Sequence, residues 1–149
     1  MATVVAVDPG GTTGLALWSP DLGLTLREVS PAIDAVFWLA DVARTLEPTT
    51  FVVEKYIITP ATAKLSQQHD ALEIIGALKY LVRKYDHKMV MQSPSEAKAY
   101  STNDKLKRVG WYKPGLDHAR DASRHLLLHL SKVGIIDLHT LIGGNNGDL

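Results

Sequence analysis

Three short runs in the first thirty positions carry apolar residues, some clustered and some alternating with polar ones: 3–8 (TVVAVD), 13–18 (TGLALW) and 24–29 (LTLREV). A Gly-rich turn joins the first two and Ser-Pro-Asp-Leu-Gly joins the last two, so the pattern predicts an antiparallel three-strand meander. Ser30 and Pro31 form an N-cap and first-turn pair, after which Ile33, Val36, Phe37 and Ala40 recur at helical spacing. Residues 49–56 (TTFVVEKY) read as a buried strand ending in an acid, Glu54. Thr59 and Pro60 open a long predicted helix to about Tyr85, with Ile74, Ile75, Leu78, Leu81 and Val82 on its main stripe and Leu72 and Tyr80 outside it. That apolar arc is wider than one sheet face requires. A fifth strand is expected at 88–92 (KMVMQ), followed by a capping box, Ser93-Pro94-Ser95-Glu96, with proline at the first helical position. Residues 100–113 show no clear period and read as a basic, aromatic loop. A last helix runs from Leu116 to a stop at Gly134, with Ala122, Leu126, Leu130 and Val133 as its apolar stripe.

This order predicts an α/β architecture, a five-stranded mixed sheet with helices on its faces, as a single domain over 1–149 with a flexible tail from about 140. The chain is long enough to bury a core. Its apolar runs are too short for a membrane span, and the first one meets Asp8 too soon for a signal peptide, so a cytoplasmic protein with no membrane partner is expected. With no cysteine, disulfides, thiolate metal sites and thiol nucleophiles are excluded. Net charge is zero but unevenly spread: residues 1–75 carry four Lys/Arg against nine Asp/Glu, and residues 76–125 carry eleven against five. A neutral chain arranged this way can present a basic surface beside an acidic pocket.

The acidic pocket has candidates. Asp8 and Glu54 both end predicted buried strands, where side chains converge on a site. On the last helix His118 and Asp121 are three residues apart and share a face. If the adjacent apolar stripe packs on the sheet, four ligands from three elements face one point. Crowded carboxylates need a positive charge among them, and an oxygen-rich set with one imidazole suits Mg²⁺ or Mn²⁺ better than Zn²⁺. Two such ions can activate a water and stabilise the leaving oxygen of a phosphoryl displacement. Gly10, Gly11 and Gly14 would let backbone and a phosphate or metal approach without an intervening Cβ. Each residue alone also has a plainer reading: Asp8 as a turn residue, Glu54 as a solvated charge, and Asp117 as the N-cap of the last helix rather than a further ligand. His125 and His129 form HxxxH without a companion glutamate and read as helix-surface histidines, and His69 and Asp70 receive no role.

A nucleic-acid surface is predicted from the second half. Lys98, Lys105, Lys107, Arg108 and Lys113 flank the 100–113 loop, and Arg120 and Arg124 project from another face of the last helix than His118. Such cations contact phosphates without reading sequence. Trp111 and Tyr112 could stack on unpaired bases, the plainer alternative being that Trp111 packs beneath its own loop.

The runs VVAVDPGGTTGLALW, FVVEKY, QSPSEAK and HARDA occur in the order and approximate spacing of the RuvC family of Holliday junction resolvases, within the RNase H-like superfamily. With LKRVGWYKPG leading into HARDA, the chain resembles the short RuvC-like resolvases of mycobacteriophages from Thr3 to about Val133. The resemblance implies an RNase H-like fold, metal ligands at Asp8, Glu54, His118 and Asp121, two Mg²⁺ or Mn²⁺ ions, and hydrolysis leaving 5′-phosphate and 3′-hydroxyl ends. It further implies a homodimer, formed through the long helix over 60–85, that nicks two strands of a four-way junction symmetrically in a bacterial host's cytoplasm. An aromatic that helps open the junction would fall at Tyr56, or at the non-aromatic Ile57. Three rivals remain: a flap or fork nuclease with the same metal site, an actin-like or sugar-kinase ATPase suggested by DPGGTTG, and a non-catalytic binding module.

Overall fold

The computed structural model describes residues 3–61 and 67–137, apart from the side chains of residues 67 and 68. Five strands form one sheet: β1 (Val4–Asp8), β2 (Thr13–Ser19), β3 (Gly23–Val29), β4 (Thr50–Glu54) and β5 (Lys88–Gln92). Their spatial order is β3-β2-β1-β4-β5, with β1–β2 and β2–β3 antiparallel and β1–β4 and β4–β5 parallel. The five strands match the sequence pattern closely, because each is a short apolar run bounded by turn residues. β1 and β4 are buried on both faces, as central strands covered by helices must be.

Alternate residues of the central strands feed two cores. On one face Val5, Val7, Leu15, Phe51 and Val53 meet α1 (Ala32–Thr45) and α2 (Gln67–Lys84). On the other, Val4, Ala6, Ala16 and Val52 meet α5 (Asp117–Lys132), with Leu106 and Trp111 closing the edge of that core. α3 (Pro94–Tyr100) starts at the expected capping box, the Ser93 hydroxyl accepting from Glu96 N at 3.3 Å.

Several expectations change. α1 buries Ala32, Ala35, Leu39 and Ala43, while Ile33 and Phe37 of the predicted stripe are 57% and 67% exposed. The helix packs by its small residues, which allow close approach to the sheet and α2. Pro31 caps α1 without a side-chain hydrogen bond, so Ser30 is not its N-cap. Pro60 and Ala61 form a turn, so the long helix does not begin at Pro60, and α2 is described from Gln67. Its wide apolar arc faces α1 as well as the sheet, and Leu72 and Tyr80, outside the main stripe, are exposed. The 100–113 segment contains a helix, α4 (Asn103–Arg108), capped by the Thr102 hydroxyl on Lys105 N at 3.2 Å. Its signal was short-range: a Thr cap, Asp104 in the first turn and Lys105, Lys107 and Arg108 in the last, each favourable to the helix dipole. Val133 lies past the end of α5 and is 53% exposed. The tail from 140 lies outside the described residues.

Candidate metal centre and nucleic-acid interface

Asp8 and Glu54 stand one position beyond the paired residues Val7 and Val53, at the same ends of adjacent parallel strands. Their carboxyl groups are hydrogen-bonded, and the charge of Asp121, from α5, also acts on Asp8. Burial, then the bond and charge of Glu54, then the charge of Asp121 push the Asp8 carboxyl up to about 10. Burial also acts to raise Glu54, but hydrogen bonds from His125 and Asp8 and the charges of His125 and Lys98 outweigh it and hold Glu54 down at about 2. One proton thus resides between the two groups, on the Asp8 side.

His118 and Asp8 line a cavity of about 640 Å³ together with Gly10, Gly11, Tyr56 and Asp70. The first turn of α5 is set by one cross-strand pair, Gly14 on β2 opposite Glu28 on β3. A Cβ on Gly14 would collide with the His118 carbonyl and lie 2.7 Å from Ala119 N. The Glu28 carboxylate accepts from His118 N at 2.9 Å and Ala119 N at 3.3 Å. Gly14 therefore makes room for a helix, not for a phosphate, and Glu28 caps that helix across space. Asp117 is not the N-cap. It lies inside the first turn and binds Arg120 at 2.7 Å, away from the cavity lining. Gly10 and Gly11 do line the cavity, and a Cβ on Gly11 would sit 3.4 Å from Asp70 Oδ2.

The structure thus brings the charges of Glu54 and Asp121 to act on Asp8, and His118 to the same cavity as Asp8. Among the described residues no three such side chains already surround one point as a formed metal site. The donor chemistry nevertheless fits a hard divalent ion, because oxygen donors from Asp8, Glu54 and Asp121 gather at a buried point where a positive charge would favour the ionised form of Asp8.

Three residues differ from expectation. His125, expected on the surface, is 1% exposed and contacts Glu54 Oε1 at 3.3 Å through Nε2 and Gln92 Oε1 at 2.9 Å through Nδ1. His129 is buried too, and burial followed by the charge of Lys132 lowers its pKa. The signal for His125 was its spacing, four residues after Asp121 and seven after His118, on the ligand-bearing face. Asp70, given no role, lines the cavity opposite Gly11.

The basic surface is sorted by partners. Arg120 and Arg124 do not project freely. The Arg120 guanidinium binds Asp117 and Lys113 O and lies 4.8 Å from the Tyr112 ring centre. Arg124 ties α5 to Ser101 O and Asn103 and reaches Asp121 at 3.4 Å. Trp111 packs into the α5 core and is largely buried, as in the plainer reading of it. Lys107, Arg108 and Lys113 are exposed, Lys107 over the Tyr112 ring and Arg108 paired with Asp104 at 3.1 Å. Lys105 lies over the Tyr100 ring at 4.0 Å. Lys98, exposed on α3, is the cation whose charge acts on both Asp8 and Glu54.

The mixed sheet, with helices on both faces and two acids at the ends of its adjacent parallel strands, defines an α/β protein of the RNase H-like kind. Its fold is that of RuvC. The Thermus thermophilus RuvC in complex with Holliday junction substrate superposes with a TM-score of 0.66 at 17% identity, covering 91% of this chain and 96% of that one. A second Thermus thermophilus RuvC structure gives 0.57 at 17% identity, covering 89% and 96%. No protein-family model and no curated protein sequence matches the chain.

Proposed function

We propose that this protein is a metal-dependent endonuclease that resolves four-way DNA junctions. The observation that carries the reading is the burial of Asp8 between Glu54 and Asp121 at the ends of the central strands, beside the cavity lined by His118. The RuvC fold, seen in a Holliday junction complex of another protein, supports the choice of substrate. Asp8, Glu54, Asp121 and His118 would hold two Mg²⁺ ions, with Mn²⁺ as substitute; bound there, the ions supply an acidified water and charge stabilisation for in-line displacement at phosphorus. Water forms the new P–O bond as the bond to the 3′ oxygen breaks, leaving 5′-phosphate and 3′-hydroxyl ends.

The chain's own residues prepare that reaction. β1 and β4 aim Asp8 and Glu54 at one point, and Gly14 and Glu28 fix the start of the helix that carries His118 and Asp121. Gly10 and Gly11 keep the cavity floor low for a phosphate. Lys98 brings a positive charge to the rim, and Lys105, Lys107, Arg108 and Lys113 extend it towards flanking duplex. Tyr56 lines the cavity, and the neighbouring Ile57 and Ile58 are exposed beside it, where a strand would be parted. Two copies would associate through the α1–α2 layer, whose Ile33, Phe37, Leu72 and Tyr80 are exposed.

The test is nicking of a synthetic four-way junction in Mg²⁺, beside a matched flap, fork and linear duplex. Paired symmetric cuts in the junction are expected. Asp8→Asn should abolish cutting while retaining junction binding, since it removes ligand charge but little volume. Substantial residual nicking by that variant would sink the metal site, and preferential cutting of the flap or fork would overturn the junction assignment.

A further inference from the structure

His125 sits where the three elements of the site meet. It lies one turn beyond Asp121 on α5, touches Glu54 at the end of β4, and touches Gln92, the residue paired with Glu54 across the β4–β5 ladder. An ionised carboxylate can only accept, so the ring nitrogen facing Glu54 must carry hydrogen. The other nitrogen, Nδ1, meets Gln92 Oε1 at 2.9 Å. It donates there when the ring is charged; in the neutral ring it accepts, and a half-turn of the Gln92 amide brings Nε2, buried without a partner, round as the donor. In either form Nε2–H is held on Glu54 and Nδ1 on Gln92.

From this we infer that His125 is a positioning residue that orients the Glu54 carboxylate for metal and fastens it to the helix carrying Asp121. The ring is 1% exposed, and a site so dry would take a leucine more cheaply if packing were the only requirement. Partners of metal-binding carboxylates in other proteins act in this way, and their loss costs roughly 10- to 100-fold in metal affinity or activity. The inference about metal rests on the nuclease reading above; the hydrogen-bond arrangement does not.

Two measurements on the full chain test it. Nitrogen NMR of histidine-labelled protein without metal should show hydrogen on Nε2 of His125, in the native chain and in Gln92→Leu alike, because Glu54 still accepts from that nitrogen. Hydrogen confined to Nδ1 would overturn the inference. Manganese binding, followed by electron paramagnetic resonance of DNA-free protein, should weaken roughly tenfold in His125→Leu. His125→Gln, whose amide can place a donor near the lost Nε2, should recover most of that loss. Equal losses in the two variants, both still folded by thermal unfolding, would reduce His125 to a packing residue and overturn the proposal; so would unchanged affinity in His125→Leu. If the native protein cuts no branched DNA, the nuclease reading falls while the tautomer and the manganese titration still decide the role of His125.

Discussion

Asp8 and Glu54 illustrate how neighbours set the state of two chemically similar groups. Both end buried strands, yet one carboxyl is pushed up to about 10 and the other held at about 2, because His125 and Lys98 favour the charge on Glu54 while burial and two acids disfavour it on Asp8. The consequence for stability has a definite sign. Without metal the folded chain keeps a proton on Asp8 that the unfolded chain releases near its ordinary value of 3.8, so folding weakens as pH rises through the window between the two. The melting temperature in chelator should therefore fall between about pH 6.5 and about pH 8.5, and Asp8→Asn should remove that part of the slope. Manganese should raise the melting temperature most at the upper end, where the competing proton is scarcest. A chelated native protein whose melting temperature is flat or rising over that range would contradict the coupling.

At the scale of elements, the site depends on how α5 begins. Its first turn lies directly against β2 at Gly14, and its leading amides are capped from β3 by Glu28. Gly14→Ala should push the helix off the sheet and destabilise the fold by about 2–3 kcal/mol, the usual scale of overpacking. Because the displaced turn carries His118, cleavage should fall further than the unfolded fraction accounts for, which denaturant unfolding beside a nicking assay will reveal. Equal losses would mean that the helix relaxes without moving its ligands. None of this was legible locally: DPGGTTG announces a turn, but nothing in it says that a helix more than a hundred residues later rests on its last glycine.

Across the whole molecule, charge separates function. The acidic first half supplies Asp8 and Glu54 from the sheet, and the basic second half supplies the exposed cations Lys98, Lys107, Arg108 and Lys113. Replacing Lys107 and Arg108 together by alanine should weaken junction binding and lower the salt slope by about one for each phosphate that is no longer neutralised. An unchanged slope, measured by binding titrations at several salt concentrations, would remove α4 from the DNA surface. Arg120 and Arg124 belong to a different class despite equal formal charge, since their guanidinium groups hold α5 to the segments before it. Their loss should act through stability as well as binding.

The sequence alone determined the five strands, their mixed order in the chain, the capping box at Ser93 and the span of α5, because each depends on periodicity or on turn and cap chemistry within a few residues. It also pointed to Asp8, Glu54, His118 and Asp121, since acids that end apolar strands and an i, i+3 pair on a helix are local patterns. Only the tertiary structure decided which face α1 buries, that α2's wide stripe serves α1 as well as the sheet, and that Trp111 and two arginines are structural. It alone put His125 on Glu54, Asp70 beside the cavity and Glu28 on the start of α5. These pairings join residues distant in the chain, set by how helices cross a twisted sheet, and no short-range pattern encodes a partner that lies ninety residues away.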